Sequence, residues 1–216
     1  TVIVVNDGST DQTLQLLAKV ETQITLISYS PNKGKGYALL QGFAKARQMR
    51  FTTAITMDSD GQHPATDIPL LIAAAEQNQD VLVVGSRRFD HPNMPQKNSF
   101  ANRFSNFWFT IQTGIRLPDT QTGFRIYSLN NMPACMPLCH RFEGELETLV
   151  RCAWRGIQLV SVPINVYYPP KEERISHFRP TVDFVRISLL NTILCVFSVL
   201  YGYPSRFILS LLCKKL

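Results

Sequence analysis

The chain is short of charge, of cysteine and of contiguous basic sequence, and each shortage argues against a class of function. Only 18% of its 216 residues are Asp, Glu, Lys or Arg, against 45% hydrophobic, which is the balance of a folded globular chain and not of a disordered one. The 5 cysteines are odd in number, scattered, and include no C-x-x-C pair. Cys135 and Cys139 are spaced C-x₃-C without the paired histidines of a zinc site, which argues against zinc and for reduced thiols in a cytosolic setting. Nowhere are Lys and Arg interleaved with aromatics in a block. The formal charge of +6 therefore points to phosphates or an acidic membrane surface, not to nucleic acid. Glycine-rich sequence is present without the G-x-x-x-x-G-K-[ST] spacing of a P-loop. No initiator Met, signal peptide or transit peptide is seen. Val2-Ile3-Val4-Val5 already reads as an apolar strand, an opening that suggests a piece trimmed at its amino end.

What is present is a rhythm of short apolar runs and helical stretches. Residues 2–5 form an all-apolar run that breaks into Asn6-Asp7-Gly8-Ser9-Thr10-Asp11, a buried strand and its following loop. Ser9 or Thr10 is placed to cap the helix carrying Leu14, Leu17 and Ala18. A second strand over 24–27 leads to Asn32-Lys33-Gly34-Lys35-Gly36, a basic loop whose glycines let backbone approach a phosphate or sugar. A helix is expected over 37–50, a strand over 53–57, a helix over 67–77 and a strand over 81–84. Such alternation predicts a mostly parallel sheet with helices on both faces. Further on, the spacing predicts an aromatic-rich helix over 100–113, whose Phe100, Phe104, Phe107, Trp108 and Ile111 suit a core face. A helix over 143–155 stopped by Gly156 and an edge strand over 159–166 broken by Pro163 complete the domain.

The most chemically pointed stretch is Asp58-Ser59-Asp60-Gly61-Gln62, two carboxylates at the carboxyl end of a strand. In an open α/β sheet that end is where ligands sit. Alternate carboxylates can hold one hard divalent cation together with phosphate oxygens. The plainer interpretation is a surface turn, since Asp, Ser and Gly are ordinary turn formers. Beyond residue 170 the character changes. No charged residue occurs over 187–205, and Arg206, Lys214 and Lys215 follow. Ser188, Asn191, Cys195, Ser198 and Gly202 fall on one stripe of a helix there, suited to packing on another helix. The length and flanking charge point to an interfacial or membrane-associated helix.

Six stretches, in order, resemble the family 2 glycosyltransferases of GT-A fold, with the closest likeness to the dolichol- or polyprenol-phosphate sugar synthases. They are Val4-Val5-Asn6-Asp7-Gly8-Ser9-Thr10-Asp11, Asn32-Lys33-Gly34-Lys35-Gly36, Asp58-Ser59-Asp60-Gly61-Gln62-His63-Pro64, Gly85-Ser86-Arg87, Asp119-Thr120-Gln121-Thr122-Gly123-Phe124-Arg125, and Val162-Pro163-Ile164. The resemblance implies a Rossmann-like catalytic domain over 1–170, with an acceptor loop and membrane-associated helical tail over 171–216, on the cytoplasmic face of a membrane. It implies Asp7, Lys35 and Asp58 as contacts of the nucleotide sugar, and Asp58, Asp60 and Gln62 as ligands of Mg²⁺ or Mn²⁺. Asp60, Glu145 and Arg87 would be catalytic, and Arg87, Arg103, His177 and Arg179 would meet the acceptor. The family opens with a strand ending in P-x-Y-N-[ED] and a helix that this sequence does not show. That segment normally closes half of the nucleotide pocket.

The expected reaction moves a sugar from a nucleotide-diphosphate sugar to a polyprenyl phosphate, an acceptor that is already an anion and needs no strong base. Were the acceptor a sugar hydroxyl in cell-surface glycan synthesis, Glu145 would be the base to examine. Its plainer role is a helix-surface acid paired with a nearby Arg. A sugar nucleotidyltransferase also uses paired acids and a basic glycine-rich loop, normally at its first strand. A non-catalytic membrane-docking module would explain the tail but not Asp58 and Asp60.

Overall fold

The computed structural model describes residues 1–78, 80–87, 96–132, 139, 141, 143–168 and 180–213. Six strands form, five of them on the runs expected above and β5 just beyond the polar 119–124 stretch: β1 (Ile3–Asp7), β2 (Thr25–Tyr29), β3 (Thr53–Thr56), β4 (Leu82–Arg87), β5 (Arg125–Ser128) and β6 (Leu159–Ile164). β1 pairs in parallel with β2, and the other four lie in the order β3-β5-β4-β6. β4 and β6 are parallel, whereas β5 is antiparallel to both of its neighbours, so β3, β4 and β6 share one direction. The mostly parallel sheet expected therefore holds in part: three of these four strands run one way, but β5 makes two of the three pairings antiparallel. β6 is the expected edge strand, and Pro163 sits there opposite Ser86.

Alternation along the central strands explains why both faces must be covered. Leu82 and Val84 of β4 and Tyr127 of β5 pack into one hydrophobic cluster; Val83, Phe124 and Ile126 pack into another. The first cluster is roofed by α2 (Lys35–Gln48), α5 (Glu143–Trp154) and, through Phe109, by α4 (Gln96–Thr113). The second is closed by Leu71 of α3 (Ile68–Glu76) and Ile164 of β6. The short α1 (Thr13–Ala18) buries no residue. Neither Ser9 nor Thr10 caps it; the Thr13 backbone N–H donates to Asp11 Oδ1 at 3.0 Å. Asp67, 3% exposed, ties the start of α3 to the end of β6 by accepting from the Asn165 backbone N–H at 2.6 Å and from Asn165 Nδ2 at 3.0 Å.

β1 and β3 do not hydrogen-bond to each other. Between them lies a cleft of about 1370 Å³, lined on one side by Ile3, Val5 and Asp7 and on the other by Thr53, Ile55 and Asp58. Apolar strand residues are left half-exposed at its walls, Ile55 among them.

The carboxyl-terminal segment runs as α6 (Pro180–Phe197), a π-helical turn (Ser198–Gly202) and α7 (Tyr203–Cys213). The polar stripe faces the protein, as its small residues predict. Asn191, Ser198 and Gly202 are buried, and Gln112 Nε2 of α4 donates to Asn191 Oδ1 at 2.9 Å. Gly202 lies against the Trp154 indole, whose Nε1 donates to the Gln112 carbonyl at 2.8 Å. Leu190 and Leu194 belong to the same cluster as Phe109 and Trp154, so this segment shares the core of the α/β unit. The opposite face exposes Leu189, Val196, Val199, Leu200, Phe207 and Ile208. The aromatic helix is divided likewise: Phe109 is buried, but Phe100 and Phe107 are exposed, so it is only in part the core face expected.

Candidate active site

β1 and β3 both end beside the first turn of α2, and this brings three of the motifs together. At the end of β1 the Asp7 carboxylate accepts the backbone N–H groups of Lys33 and Gly34, each at 2.8 Å, while Asn32 Nδ2 donates to the Asp7 carbonyl at 2.8 Å. Asp7 thus shapes the basic loop, a task that its position in the motif did not reveal. The loop in turn starts α2 at Lys35. That side chain reaches across to β3, placing Nζ 2.7 Å from Asp58 Oδ1, 2.9 Å from Asp58 Oδ2 and 2.8 Å from Glu145 Oε2.

Glu145 is no helix-surface acid beside an arginine: it is 7% exposed and its partner is Lys35. Burial raises its carboxyl above the ordinary glutamate value, although Lys35 and Arg125 pull the other way. Burial works against the Lys35 charge as well, yet Glu145 and Asp58 more than offset it and hold the ammonium above its usual range. Glu145 Oε1 is buried with no hydrogen-bond partner among the described residues.

Asp60 lies exposed in the turn after β3, where its Oδ1 accepts the Gln62 backbone N–H at 3.0 Å. Gln62 is anchored through its carbonyl, which accepts the Tyr167 backbone N–H at 2.8 Å beyond β6. The residues fit a divalent cation. The Asp58 carboxylate already holds a positive charge, and an unsatisfied buried oxygen stands beside it. No group of three or more His, Cys, Asp or Glu residues among those described could hold an ion alone, so the remaining ligands would be diphosphate oxygens and water.

Arg87 ends β4 on the same side of the sheet but presents no open fork. Its Nε and Nη2 donate to Asp119 at 2.6 and 3.0 Å, and its backbone N–H donates to Asp119 as well. The Nε and Nη2 donors that would meet an acceptor phosphate are held here by Asp119, which is 1% exposed. Arg103 stands on the exposed face of α4, while its neighbour Asn102 points inward and donates to the Pro118 carbonyl at 3.1 Å. His177 and Arg179 lie outside the described residues.

Three residues matter here that sequence reasoning quoted without a role. Arg125, fully buried, donates to the carbonyls of Thr122, Thr120 and Glu145 and to the Tyr127 hydroxyl, at 2.8 to 3.2 Å. His63 lies over Phe124, with ring centroids 5.4 Å apart. Burial lowers its imidazole below the usual histidine value, against the pull of Asp58 and Asp60. Gly123 is the third. A Cβ there would meet Lys35 Nζ at 2.7 Å and Asp58 Oδ2 at 2.8 Å. Only movable side-chain ends are in the way, so Gly123→Ala should fold normally and displace the ion pair. Transfer is expected to fall about 10- to 100-fold with thermal stability unchanged, since a misplacement of about 1 Å costs that order of rate. Steady-state kinetics beside a melting curve check it.

Burial pushes Cys152 up to about 12, and burial with Glu147 nearby does the same for Cys139, which keeps both in the unreactive protonated form.

Comparison with known proteins agrees with this geometry. The profile of Glycosyl transferase family 2 matches residues 1–135. A UDP-N-acetylglucosamine–dolichyl-phosphate N-acetylglucosaminyltransferase of Methanococcus voltae is 27% identical over 187 residues, covering 77% of this chain and 74% of the relative. An undecaprenyl-phosphate 4-deoxy-4-formamido-L-arabinose transferase of Photorhabdus laumondii is 32% identical over 174 residues, covering 79% and 50%. Among solved structures, glucosyl-3-phosphoglycerate synthase from Mycobacterium tuberculosis in complex with UDP superposes with a TM-score of 0.60 at 17% identity, covering 91% of this chain and 68% of that one. The same enzyme with Mn²⁺, UDP and glucosyl-3-phosphoglycerate gives 0.54 at 17%, covering 92% and 67%. With its strand-end acidic turn, its basic loop and this profile over more than half its length, the chain belongs to glycosyl transferase family 2 and is a glycosyltransferase of GT-A fold.

Proposed function

We propose that the enzyme moves a sugar from a nucleotide-diphosphate sugar to a polyprenyl phosphate, with Mg²⁺ or Mn²⁺ held at Asp58 and Asp60 and Gln62 alongside. The observation that carries this is the cation-binding state of Asp58, whose two oxygens already hold the Lys35 ammonium at the ligand edge of the sheet. The names of the relatives, which act on dolichyl and undecaprenyl phosphates, support the acceptor class. A divalent ion there would supply Lewis acidity to a diphosphate leaving group. Lys35 and the amino end of α2 add positive charge beside the same place. A phosphate acceptor is already anionic, so no residue has to take a proton from it. Glu145, buried and engaged by Lys35, then positions that lysine, while Arg103, His177 and Arg179 are left to meet the acceptor.

The raised carboxyl of Glu145 favours one rival, a sugar-hydroxyl acceptor with Glu145 as base. Incubation with labelled nucleotide sugars and a polyprenyl phosphate separates the readings. Label in the lipid phase together with free nucleoside diphosphate is the expected result. Pyrophosphate release would indicate a nucleotidyltransferase, and label confined to water-soluble glycan would overturn the lipid acceptor.

We place the exposed apolar face of α6 and α7 on the cytoplasmic surface of a membrane. The helix over Val185–Leu212 is long and apolar enough to cross a bilayer, but one face is committed to Trp154 and Gln112, so lying along the interface suits it better. Leu200→Glu with Phe207→Glu should leave folding intact and reduce binding to anionic vesicles about tenfold or more, read by co-sedimentation. Unchanged sedimentation would remove the membrane from this account.

Among the described residues β1 and β3 have no strand partner on the sides that line the cleft, and we propose that one more strand fills it, walling the space between Asp7 and Asp58. An extended apolar segment joined ahead of Thr1 is expected to slow amide hydrogen exchange in both β1 and β3. Exchange unchanged by that addition would dismiss the slot.

A further inference from the structure

We propose that Lys35 is the resident cation of the metal site, and that a divalent ion reaches Asp58 only by displacing the Lys35 ammonium from it. This rests on the assignment of the ion to Asp58 and Asp60 made above. An ammonium has three N–H donors. Nζ has three carboxylate oxygens within 2.9 Å, two from Asp58 and one from Glu145, so the whole donor set has acceptors and both Asp58 oxygens are occupied. Each carboxylate oxygen keeps a further lone pair for a metal, but a unit positive charge in contact with both of them repels a divalent cation strongly.

The arrangement also supplies an exit. Lys35 is the first residue of α2, on a flexible four-carbon stem whose side chain is 23% exposed. Glu145, with Oε2 2.8 Å from Nζ, keeps a partner for the charge as it leaves Asp58. Arg125 does not compete for that carboxylate, because its bond goes to the Glu145 carbonyl. Without an ion, Lys35 holds Asp58 and Glu145 together against their repulsion. When an ion arrives with a diphosphate, Lys35 is released beside newly delivered negative charge. Binding of metal alone should therefore be weak, and made so by this one side chain.

The test is titration with Mn²⁺ alone, following loss of the free-ion electron paramagnetic resonance signal. Lys35→Met is expected to bind Mn²⁺ at least about tenfold tighter than the unaltered protein. Removing the ammonium leaves two carboxylates facing each other, so the comparison is repeated in a charge-balanced background, Glu145→Gln with and without Lys35→Met. Tightening in either background supports displacement. Equal or weaker binding in both overturns it, and if Asp60→Asn then still abolishes Mn²⁺ binding, the metal assignment survives that failure. Should Mn²⁺ bind with no dependence on Asp60, or not bind even to the Lys35→Met variants, the metal assignment falls and the displacement with it.

Discussion

Asp60→Asn is expected to lower the rate of sugar transfer at least about 100-fold, because the several kcal/mol of charge stabilisation that a bound ion contributes to a leaving diphosphate are lost with it. The structure makes this substitution unusually clean. Asp60 is exposed, and among the described residues its side chain takes one hydrogen bond, Oδ1 accepting the Gln62 backbone N–H. Asparagine retains a carbonyl oxygen for that contact, so the turn keeps its shape and only the charge disappears. Melting temperature should stay where it was while turnover collapses. A chelator should abolish transfer by the unaltered protein, and added Mg²⁺ or Mn²⁺ should restore it. Full transfer in chelator, or an Asp60→Asn enzyme working near the normal rate, would dismiss the metal from this site.

The second large effect concerns stability. Arg125→Met should cost about 3–5 kcal/mol of folding free energy, the range for breaking a buried charged network by removing one member. Arg125 is wholly buried and satisfies three backbone carbonyls and the Tyr127 hydroxyl. Methionine fills much of the space but leaves those acceptors unpaired in a dry interior. Arg125→Lys should fare little better, since an ammonium cannot reproduce a planar fork reaching several carbonyls at once. Urea denaturation provides the measurement. A loss under about 1 kcal/mol would show that the network contributes far less than its geometry suggests. The same residue carries the 119–125 stretch, which includes Gly123 and Asp119, so the unfolding penalty and the loss of the site should appear together.

Much of this architecture was legible beforehand because its signals are local. Buried strands announce themselves as short apolar runs, and β4 has the fully buried Leu82, Val83 and Val84 expected of one. The stripe of Asn191, Ser198 and Gly202 announced a packed helical face in the same way. Asp58-Ser59-Asp60 stood out as a candidate site from composition and position alone. The direction of β5 was not legible, since a four-residue strand carries no record of which way its neighbours run. Nor was the division of the aromatic helix, where Phe109 is buried and Phe107 exposed. Helical spacing groups residues on a face but does not say how wide a face the neighbours will cover.

The sequence by itself determined the family, the alternating α/β order and the identity of the acidic turn, because each is written in contiguous residues whose backbone preferences act over a few positions. Only the tertiary structure decided what those residues are bound to. Lys35 meets Asp58 across 23 residues, and Arg87 closes on Asp119 across 32. Glu145, a plausible surface acid by sequence, is buried against Lys35 because α5 packs that flank of its first turn toward the sheet. Ion pairs are chosen by proximity in three dimensions and by the desolvation that burial imposes. Neither quantity exists until the helices have settled on the sheet.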